Sequence, residues 1–266
     1  MHQAGDTRTS ARHSRPWLGR RAPAALLITC ALAAAGCGSG QEAKDEPAFS
    51  TPTATQTVAE PTRTTALTAL PRTVARVRDE LRGIPQQGLV LGSPSAPVSI
   101  IEYGAFECPT CAAVHGNVLP QVIERYVRTG KASLEFRGLA GDSASPARDL
   151  ALGAHAAAAQ GRGWDFVQLA YLRSLEHGGA LPEPSARLAA ALGLDVQGWS
   201  NGLETPARSA QIRAAANVAA VARFSTYPVF LVRARDNPGH PFIVLTDPSS
   251  VRAFAGAIEK AQKRGV

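Results

Sequence analysis

The sequence predicts an α/β fold for its carboxyl-terminal part, and two patterns carry this prediction. The β-branched run at residues 98–103 is typical of a buried strand, and apolar residues recur at helical spacing after it, up to Gly130. Later in the chain, residues 230–233 and 242–245 indicate two paired strands, and residues 251–263 indicate a closing helix. Both halves of the domain thus combine strands with a helix.

A helical insertion is expected between these two halves. The chain is rich in alanine from about residue 146 to about residue 221. Residues 147–160 and 186–192 have helical composition, and residues 164–175 carry apolar side chains at helical spacing. We therefore predict one domain over residues 89–266, with a helical insertion at about 146–221.

The composition excludes several classes of protein. Hydrophobic residues make up 45% of the 266-residue chain and charged residues 18%, which argues against a wholly disordered protein. Four cysteines are too few for a small domain that is held together by disulfides. After residue 36 there is no run of about 18 apolar residues, so a protein that crosses the membrane several times is excluded.

The first 36 residues have the layout of a bacterial export signal. Five arginines within residues 1–21 are followed by the apolar stretch 22–35. The sequence AAGC at residues 34–37 resembles a lipobox, although leucine is usual three residues before the cysteine. We predict cleavage before Cys37, lipidation of Cys37 and anchoring at the extracytoplasmic face of the cell membrane. A twin-arginine signal, an uncleaved amino-terminal anchor and secretion remain alternatives.

Most of the basicity of the chain belongs to this signal. The formal net charge of the whole chain is +7, but residues 37–266 carry 23 basic and 20 acidic residues, a net charge of +3. Nucleic acid is therefore not expected as a partner. Residues 37–88 are rich in Thr, Pro and Ala and predict a flexible tether, in which residues 73–82 indicate a short amphipathic helix.

The chemistry of the chain is concentrated in Cys108-Pro109-Thr110-Cys111. Pro109 suits the first position of a helix, because the first N–H groups of a helix are unpaired in any case. Cys108 is then placed at a helix amino terminus, directly after a strand. Free N–H groups and the helix dipole stabilise an anion there, which favours the reactive thiolate. Cys111 lies one turn further in, more deeply buried, where it can resolve a mixed disulfide.

Two cysteines at this spacing also occur in other kinds of site. A haem attachment site requires histidine directly after the second cysteine, and Ala112 stands there. A structural zinc site needs two further ligands at matched spacing, but the chain has no second CxxC and its histidines are scattered. A purely structural disulfide would close a very small loop and contribute little entropy. Redox chemistry is the favoured interpretation, with zinc and a structural disulfide as alternatives.

Several short motifs follow one another in a characteristic order over roughly residues 89–263. They are LGSPSAPV (91–98), IEY (101–103), CPTC (108–111), TGK (129–131) before a strand at 132–137, GWDF (163–166), GLD (193–195) and YPVFLV (227–232). In this order they resemble the DsbA-like thiol–disulfide oxidoreductases, in particular the exported or lipid-anchored forms of Gram-positive bacteria. The resemblance implies an α/β thioredoxin fold with a helical insertion between its βαβ and ββα halves.

The resemblance also assigns roles around the cysteines. Pro228 matches the family's cis-proline beside the active-site disulfide, where the neighbouring backbone can pair with an extended substrate. Tyr227 is bulkier than the residue that commonly precedes this proline, so it is expected to narrow the substrate groove. Pro109, Thr110 and Phe106 are expected to border the active-site loop and the same groove, with a place in the core as the alternative for Phe106.

Glu102 matches a buried acid of the family that helps to move the proton of the inner cysteine. Burial favours the protonated form of a carboxyl group, which suits acid–base work near neutrality; a solvent-facing position at the sheet edge is the alternative. His115, four residues after Cys111, is expected to face solvent, with a modulating role as the alternative. Thr110 stands where strongly oxidising relatives carry histidine, which predicts a less stabilised thiolate at Cys108 and a less oxidising disulfide.

The predicted function is disulfide exchange between the Cys108–Cys111 pair and exported proteins that carry thiols, in the direction of disulfide formation. No metal or organic cofactor is expected, because the cysteine pair itself carries the electrons. The resemblance implies a quinone-linked membrane partner that re-oxidises the pair, and an anchor at Cys37 would hold both at one membrane surface. A reductase or isomerase of the same fold, and a non-catalytic module that holds an extended peptide, are the alternatives.

Overall fold

A mixed β-sheet lies at the centre of the fold. The computed structural model describes residues 63–181 and 183–264, with side chains from residue 70 onward. In chain order the strands are Gln86–Gln87 (β1), Val90–Leu91 (β2), Val98–Gly104 (β3), Ala132–Gly138 (β4), Val229–Ala234 (β5) and Ile243–Leu245 (β6). Their order across the sheet is β1-β2-β4-β3-β5-β6; β3 and β4 are parallel, and the other neighbours are antiparallel.

Helices precede, connect and follow these strands. In chain order they are α1 (Arg63–Leu81), α2 (Pro109–Asn117), α3 (Leu119–Val122), a π-helical turn (Ile123–Val127), α4 (Pro146–Ala158), α5 (Gly163–Glu176), α6 (Ser185–Ala191), α7 (Val196–Asn201), α8 (Pro206–Val221) and α9 (Val251–Arg264). The order β3-α2-β4 and the order β5-β6-α9 form the two halves that the sequence predicts, and α4 to α8 lie between them. None of the described helices is both long enough and apolar enough to cross a membrane.

The central strand β3 is buried on both faces, which explains its nearly continuous β-branched sequence. Side chains alternate along a strand, so Val98 and Ile100 point into the larger core, beneath α2 and α9. Ile101 and Tyr103 point to the other face, into a smaller core that is closed by alanines of α8. By the same alternation, Glu102 points to the face that α2 covers.

Helix α1 corrects the predicted boundary of the tether. Its apolar side chains recur at spacings of four, three and four residues, and they are buried in the larger core: Leu70, Val74, Val77 and Leu81. The short amphipathic helix predicted at residues 73–82 is thus confirmed as the later part of α1. The prediction that this stretch belongs to a flexible tether is wrong, because its apolar stripe packs on the domain. The remainder of the predicted tether and the predicted signal lie outside the described residues.

Candidate active site

Cys108 and Cys111 lie where the chain leaves β3 and enters α2. They are joined by a disulfide, with their Cα atoms 5.2 Å apart. Cys108 is the N-cap residue of α2, since its sulfur accepts a hydrogen bond of 3.1 Å from the backbone N–H of Cys111, and Pro109 occupies the first turn. Cys108 is partly exposed, whereas Cys111 is fully buried. A nucleophile from solvent therefore meets the sulfur of Cys108, and Cys111 is placed as the leaving or resolving partner.

Thr110 links the cysteine motif to the loop before β5. Its hydroxyl donates a hydrogen bond of 2.7 Å to the backbone carbonyl of Tyr227 and lies 3.1 Å from the sulfur of Cys108. That sulfur lies 3.6 Å from the same carbonyl oxygen. The Tyr227–Pro228 peptide bond is cis, as the resemblance implies. Because a hydroxyl has one proton to donate, Thr110 can donate its hydrogen bond either to this carbonyl or to a thiolate at Cys108, but not to both at once.

Two surface hollows flank the cysteine motif, and Tyr227 lines both. One has a volume of about 490 Å³ and is lined by Thr110, by the apolar side chain of Val114 and by Pro228. The other has a volume of about 630 Å³ and extends from Glu107 toward α8. Tyr227, which is half-buried, therefore shapes both surfaces that adjoin the disulfide.

Phe106 does not reach either surface. Its side chain is fully buried, with ring centroids 5.4 Å from Phe136 and 5.0 Å from Tyr171. The prediction that Phe106 borders the substrate groove is therefore wrong. The alternative, that Phe106 belongs to the hydrophobic core, is confirmed. The turn after β3 directs Phe106 inward, under the active-site loop, whereas the next residue, Glu107, is exposed.

Glu102 and His115 form a buried pair beneath the active-site helix. Glu102 is 0% exposed in the central strand, so its solvent-facing alternative is wrong. Nε2 of His115 lies 3.0 Å and 3.1 Å from the two carboxylate oxygens of Glu102. His115 is also 0% exposed, so the expectation that it faces solvent is wrong. The cause is α5, which packs on this face of α2 and stacks the ring of Tyr171 on the imidazole, with centroids 4.0 Å apart.

Two residues that sequence reasoning missed complete this buried cluster. One residue is Gln168 of α5, whose Oε1 lies 2.7 Å from Nδ1 of His115 and whose Nε2 donates to the backbone carbonyl of His115 at 3.0 Å. The other is Glu80 of α1, which accepts a hydrogen bond of 2.9 Å from the same Nε2. Burial raises the pKa of Glu80, against the opposing effect of Arg76 and of the imidazole. No sequence motif marks Gln168 or Glu80. Gln168 meets His115 only when α5 packs on α2, and Glu80 meets Gln168 only when α1 packs on α5.

The remaining predicted features of the site concern metal binding and lipidation. Among residues 63–181 and 183–264, no group of three or more His, Cys, Asp or Glu side chains is arranged to hold a metal ion. The predicted lipidation site, Cys37, lies outside the described residues.

Comparison with known proteins gives a family and several relatives. The family model described as Thioredoxin (Thioredoxin_4) matches residues 85–259. Over 175 residues the chain is 30% identical to the Na(+)/H(+) antiporter NhaA 3 of Salinispora tropica. This match covers 65% of this chain and 26% of that protein. Over 46 residues it is 44% identical to the probable disulfide bond formation protein D of Bacillus cereus. This match covers 17% of this chain and 21% of that protein. The chain thus spans about a quarter or less of these curated relatives.

Solved structures share the fold. Wolbachia pipientis alpha-DsbA1 superposes with a TM-score of 0.57 at 22% sequence identity, covering 66% of this chain and 92% of that chain. Oxidised BdbD from Bacillus subtilis superposes with a TM-score of 0.55 at 17% identity, covering 68% of this chain and 98% of that chain. At these identities the likeness concerns the fold, and the predicted thioredoxin fold with a helical insertion is confirmed.

Proposed function

This chain belongs to the Thioredoxin_4 family and is a DsbA-like thioredoxin-fold protein, and from this premise we propose that it is a thiol–disulfide oxidoreductase with Cys108 and Cys111 as its redox centre. The observation that carries the proposal is the asymmetry of the disulfide. Cys108 is partly exposed at a helix amino terminus, whereas Cys111 is fully buried one turn further along. Exchange chemistry needs one reachable sulfur and one sheltered sulfur, and this pair supplies both.

The exchange begins at the sulfur of Cys108. A substrate thiolate attacks this sulfur, the bond to Cys111 breaks, and its electron pair leaves on the Cys111 sulfur. The substrate is then held to Cys108 by a mixed disulfide. A second substrate thiolate attacks the substrate's own sulfur and releases Cys108 as a thiolate. The substrate has then lost two electrons to the cysteine pair and has gained a disulfide.

We infer that disulfide formation is the favoured direction. The released Cys108 thiolate lies at the amino terminus of α2, where the N–H of Cys111 points at its sulfur from 3.1 Å. A stabilised thiolate favours the reduced pair and therefore makes the disulfide more oxidising. Thr110 carries no positive charge, so it stabilises the Cys108 thiolate less than a cationic side chain at this position would, and the disulfide is correspondingly less oxidising. The names of the Bacillus relatives, which concern disulfide bond formation, support the same direction.

An equilibrium titration against glutathione tests this direction. We expect a reduction potential less negative than that of thioredoxin, which is around −270 mV. A potential as low as that value would refute the oxidising direction and favour a reductase. The Cys108→Ser variant is the control, and it should lose exchange altogether. If that variant kept its function in a redox complementation assay, a peptide-holding module without catalysis would be the better account.

We propose that the substrates are thiol-containing proteins outside the cytoplasm, that lipid on Cys37 holds the chain at the membrane, and that a quinone-linked membrane partner re-oxidises the pair. The arginine-rich and apolar layout of residues 1–36 supports the location. Intact-mass analysis of protein extracted from membranes is the test. We expect a chain that begins at lipidated Cys37, and an intact amino terminus would refute this part of the proposal.

A further inference from the structure

The hollow of about 630 Å³ beside the active-site turn has a largely apolar lining that includes aromatic rings. Two partly exposed rings, those of Phe224 and Tyr227, line it. The ring of Phe224 packs edge-on against Tyr103, with centroids 5.6 Å apart, so the core holds it in place. Alanines of α8 form a further part of the lining. Such a surface accommodates the aliphatic stem of a long side chain whose polar head stays near water.

One carboxylate lines this hollow, and it belongs to Glu107, the residue directly before Cys108. Glu107 is exposed, and its side chain forms no ion pair or hydrogen bond with the other residues that the structure describes. Burial raises the pKa of the Tyr171 hydroxyl well above its ordinary value, and the charges of Glu102 and Glu107 add to this effect. A carboxylate beside aromatic rings suits a cationic side chain, which can pair with the carboxylate and lie against a ring face.

Arg223 is the other charged residue that lines this hollow. It also lines a separate hollow of about 460 Å³, to which no residue of the cysteine motif contributes, so it lies at the border between the two. It forms no ion pair with Glu107. Glu107, in contrast, is one peptide bond away from Cys108, which places their Cα atoms about 3.8 Å apart. The charge nearest to the attacked sulfur is therefore negative.

The hollow on the other side of Tyr227 has the same sign of charge. Asp247 lines it, and this lining, which lies wholly within the described residues, contains no cationic side chain. Residues 37–266 nevertheless carry a net charge of +3. The charge beside the disulfide is thus opposite to that of the chain as a whole, and it favours the approach of a cationic segment.

We propose that Glu107 determines substrate specificity: the hollow beside it receives a lysine or arginine side chain that flanks the reacting cysteine of the substrate. The inference rests on the proposed exchange reaction and names its substrate class. During exchange the substrate sulfur bonds to the sulfur of Cys108, the bond to Cys111 breaks, and the electron pair leaves on Cys111. The residues next to the substrate cysteine then lie beside Cys108. A cationic head faces Glu107, and its stem packs on the rings of Phe224 and Tyr227.

Exchange with charged peptides tests this assignment. In the reduced Cys111→Ser variant the thiolate of Cys108 attacks a disulfide-linked peptide dimer, one peptide stays attached, and the other leaves as a thiolate. The rate of attachment at Cys108 is followed by peptide mapping. In the neutral peptide alanines flank the cysteine; in the charged peptides lysine or glutamate replaces the alanine before or after it. Each rate with a charged peptide is divided by the rate with the neutral peptide.

The same ratios are then measured with Glu107→Gln added to this variant. The quotient of the two ratios cancels the intrinsic reactivity of each peptide and any change in the reactivity of Cys108. We expect a quotient of about two- to fivefold for at least one position of the lysine, as for an exposed ion pair, and a value near one in about 1 M salt. The matched control is Glu259→Gln, an exposed carboxylate of α9 that lines neither hollow, and its quotient should stay near one.

Several results would overturn the proposal. They are a quotient near one for both lysine positions at low salt, a quotient that persists in about 1 M salt, and an equal quotient for Glu259→Gln, which would show that only the net charge of the protein matters. Glutamate peptides that react faster than the neutral peptide before Glu107 is replaced would equally overturn it, because Arg223 would then govern the hollow.

A separate measurement distinguishes failure of this inference from failure of the proposed function. If even the neutral peptide does not become attached to Cys108, the proposed exchange is refuted. The affinity of the oxidised wild-type protein for peptides with serine in place of cysteine then decides. We expect a lysine peptide to bind about two- to fivefold more tightly than the neutral peptide, and Glu107→Gln to abolish this difference. Equal affinities in the wild-type protein would overturn the specificity assigned to Glu107.

Discussion

Thr110→Val is expected to make the disulfide less oxidising. Valine has nearly the shape of threonine but no hydroxyl. In the oxidised protein the substitution removes the 2.7 Å hydrogen bond to the carbonyl of Tyr227. In the reduced protein it removes a donor that lies 3.1 Å from the sulfur of Cys108, where a thiolate is the stronger acceptor. Both redox states lose a hydrogen bond, so the sign of the effect depends on which bond is stronger.

The magnitude follows from the two kinds of hydrogen bond. A bond between neutral groups contributes about 0.5–1.5 kcal/mol, and a bond to a charged group about 1.5–3 kcal/mol. Thr110 is exposed, so the lower parts of both ranges apply, and the reduced form loses about 1 kcal/mol more than the oxidised form. For a two-electron couple this corresponds to about 20 mV toward more negative potential, or about fivefold in the equilibrium constant with glutathione.

The assay is a redox equilibrium with glutathione, in which free thiols are alkylated and the two forms are counted by mass. Thr110→Ser keeps the hydroxyl and is the matched control, with an expected potential close to that of the wild type. An unchanged or more positive potential for Thr110→Val would refute the reasoning. A shift of the same size in Thr110→Ser would also refute it, because the hydroxyl would then not be the cause.

Two further predictions concern stability. Val77→Ala should lower the free energy of unfolding, measured by urea titration, by about 2 kcal/mol, since packing of α1 buries this side chain completely. Val221→Ala is the control and should change the free energy of unfolding little, because Val221 is 86% exposed. Equal effects of the two substitutions would contradict the packing of α1. Burial lowers the pKa of His155 to about 4 from 6.5, so the unfolded chain binds this proton more readily and stability should fall as the pH drops from about 6.5 toward 4. His155→Gln should flatten that part of the pH profile in urea titrations, and an equal slope in both proteins would show that another group is responsible.

Local patterns in the sequence predicted much of the fold. The strand expected at 98–103 is Val98–Gly104, and the closing helix expected at 251–263 is Val251–Arg264, because β-branched runs and helical spacing are local signals. Helix α1 was placed only in part, since its threonines and its internal Pro71 resemble a linker. Its helical structure is stabilised by tertiary packing of its apolar stripe, which composition does not reveal.

The site was predictable where its chemistry lies within one motif. The positions of Cys108 and Cys111 follow from a strand, a turn and a helix start that are adjacent in the chain. The pairing of His115 with Glu102 was missed. His115 follows Cys111 by four residues, and this spacing already places His115 on the same buried face of the helix. Gln168 comes from a distant helix, so its contact with His115 depends on how two helices pack and has no signal in the sequence.

The central claim, that Cys108 is the reachable sulfur of a redox pair, is tested most directly by trapping a mixed disulfide. The Cys111→Ser variant is incubated under native conditions with a disulfide-linked peptide dimer, and its intact mass is measured. We expect one peptide attached through Cys108, because the motif no longer holds the resolving cysteine that would release it. In Cys108→Ser the buried Cys111 is the remaining thiol of the pair, and peptide mapping should find no peptide attached to it. An unmodified Cys111→Ser variant, or a peptide attached to Cys111 at a similar rate, would contradict the account.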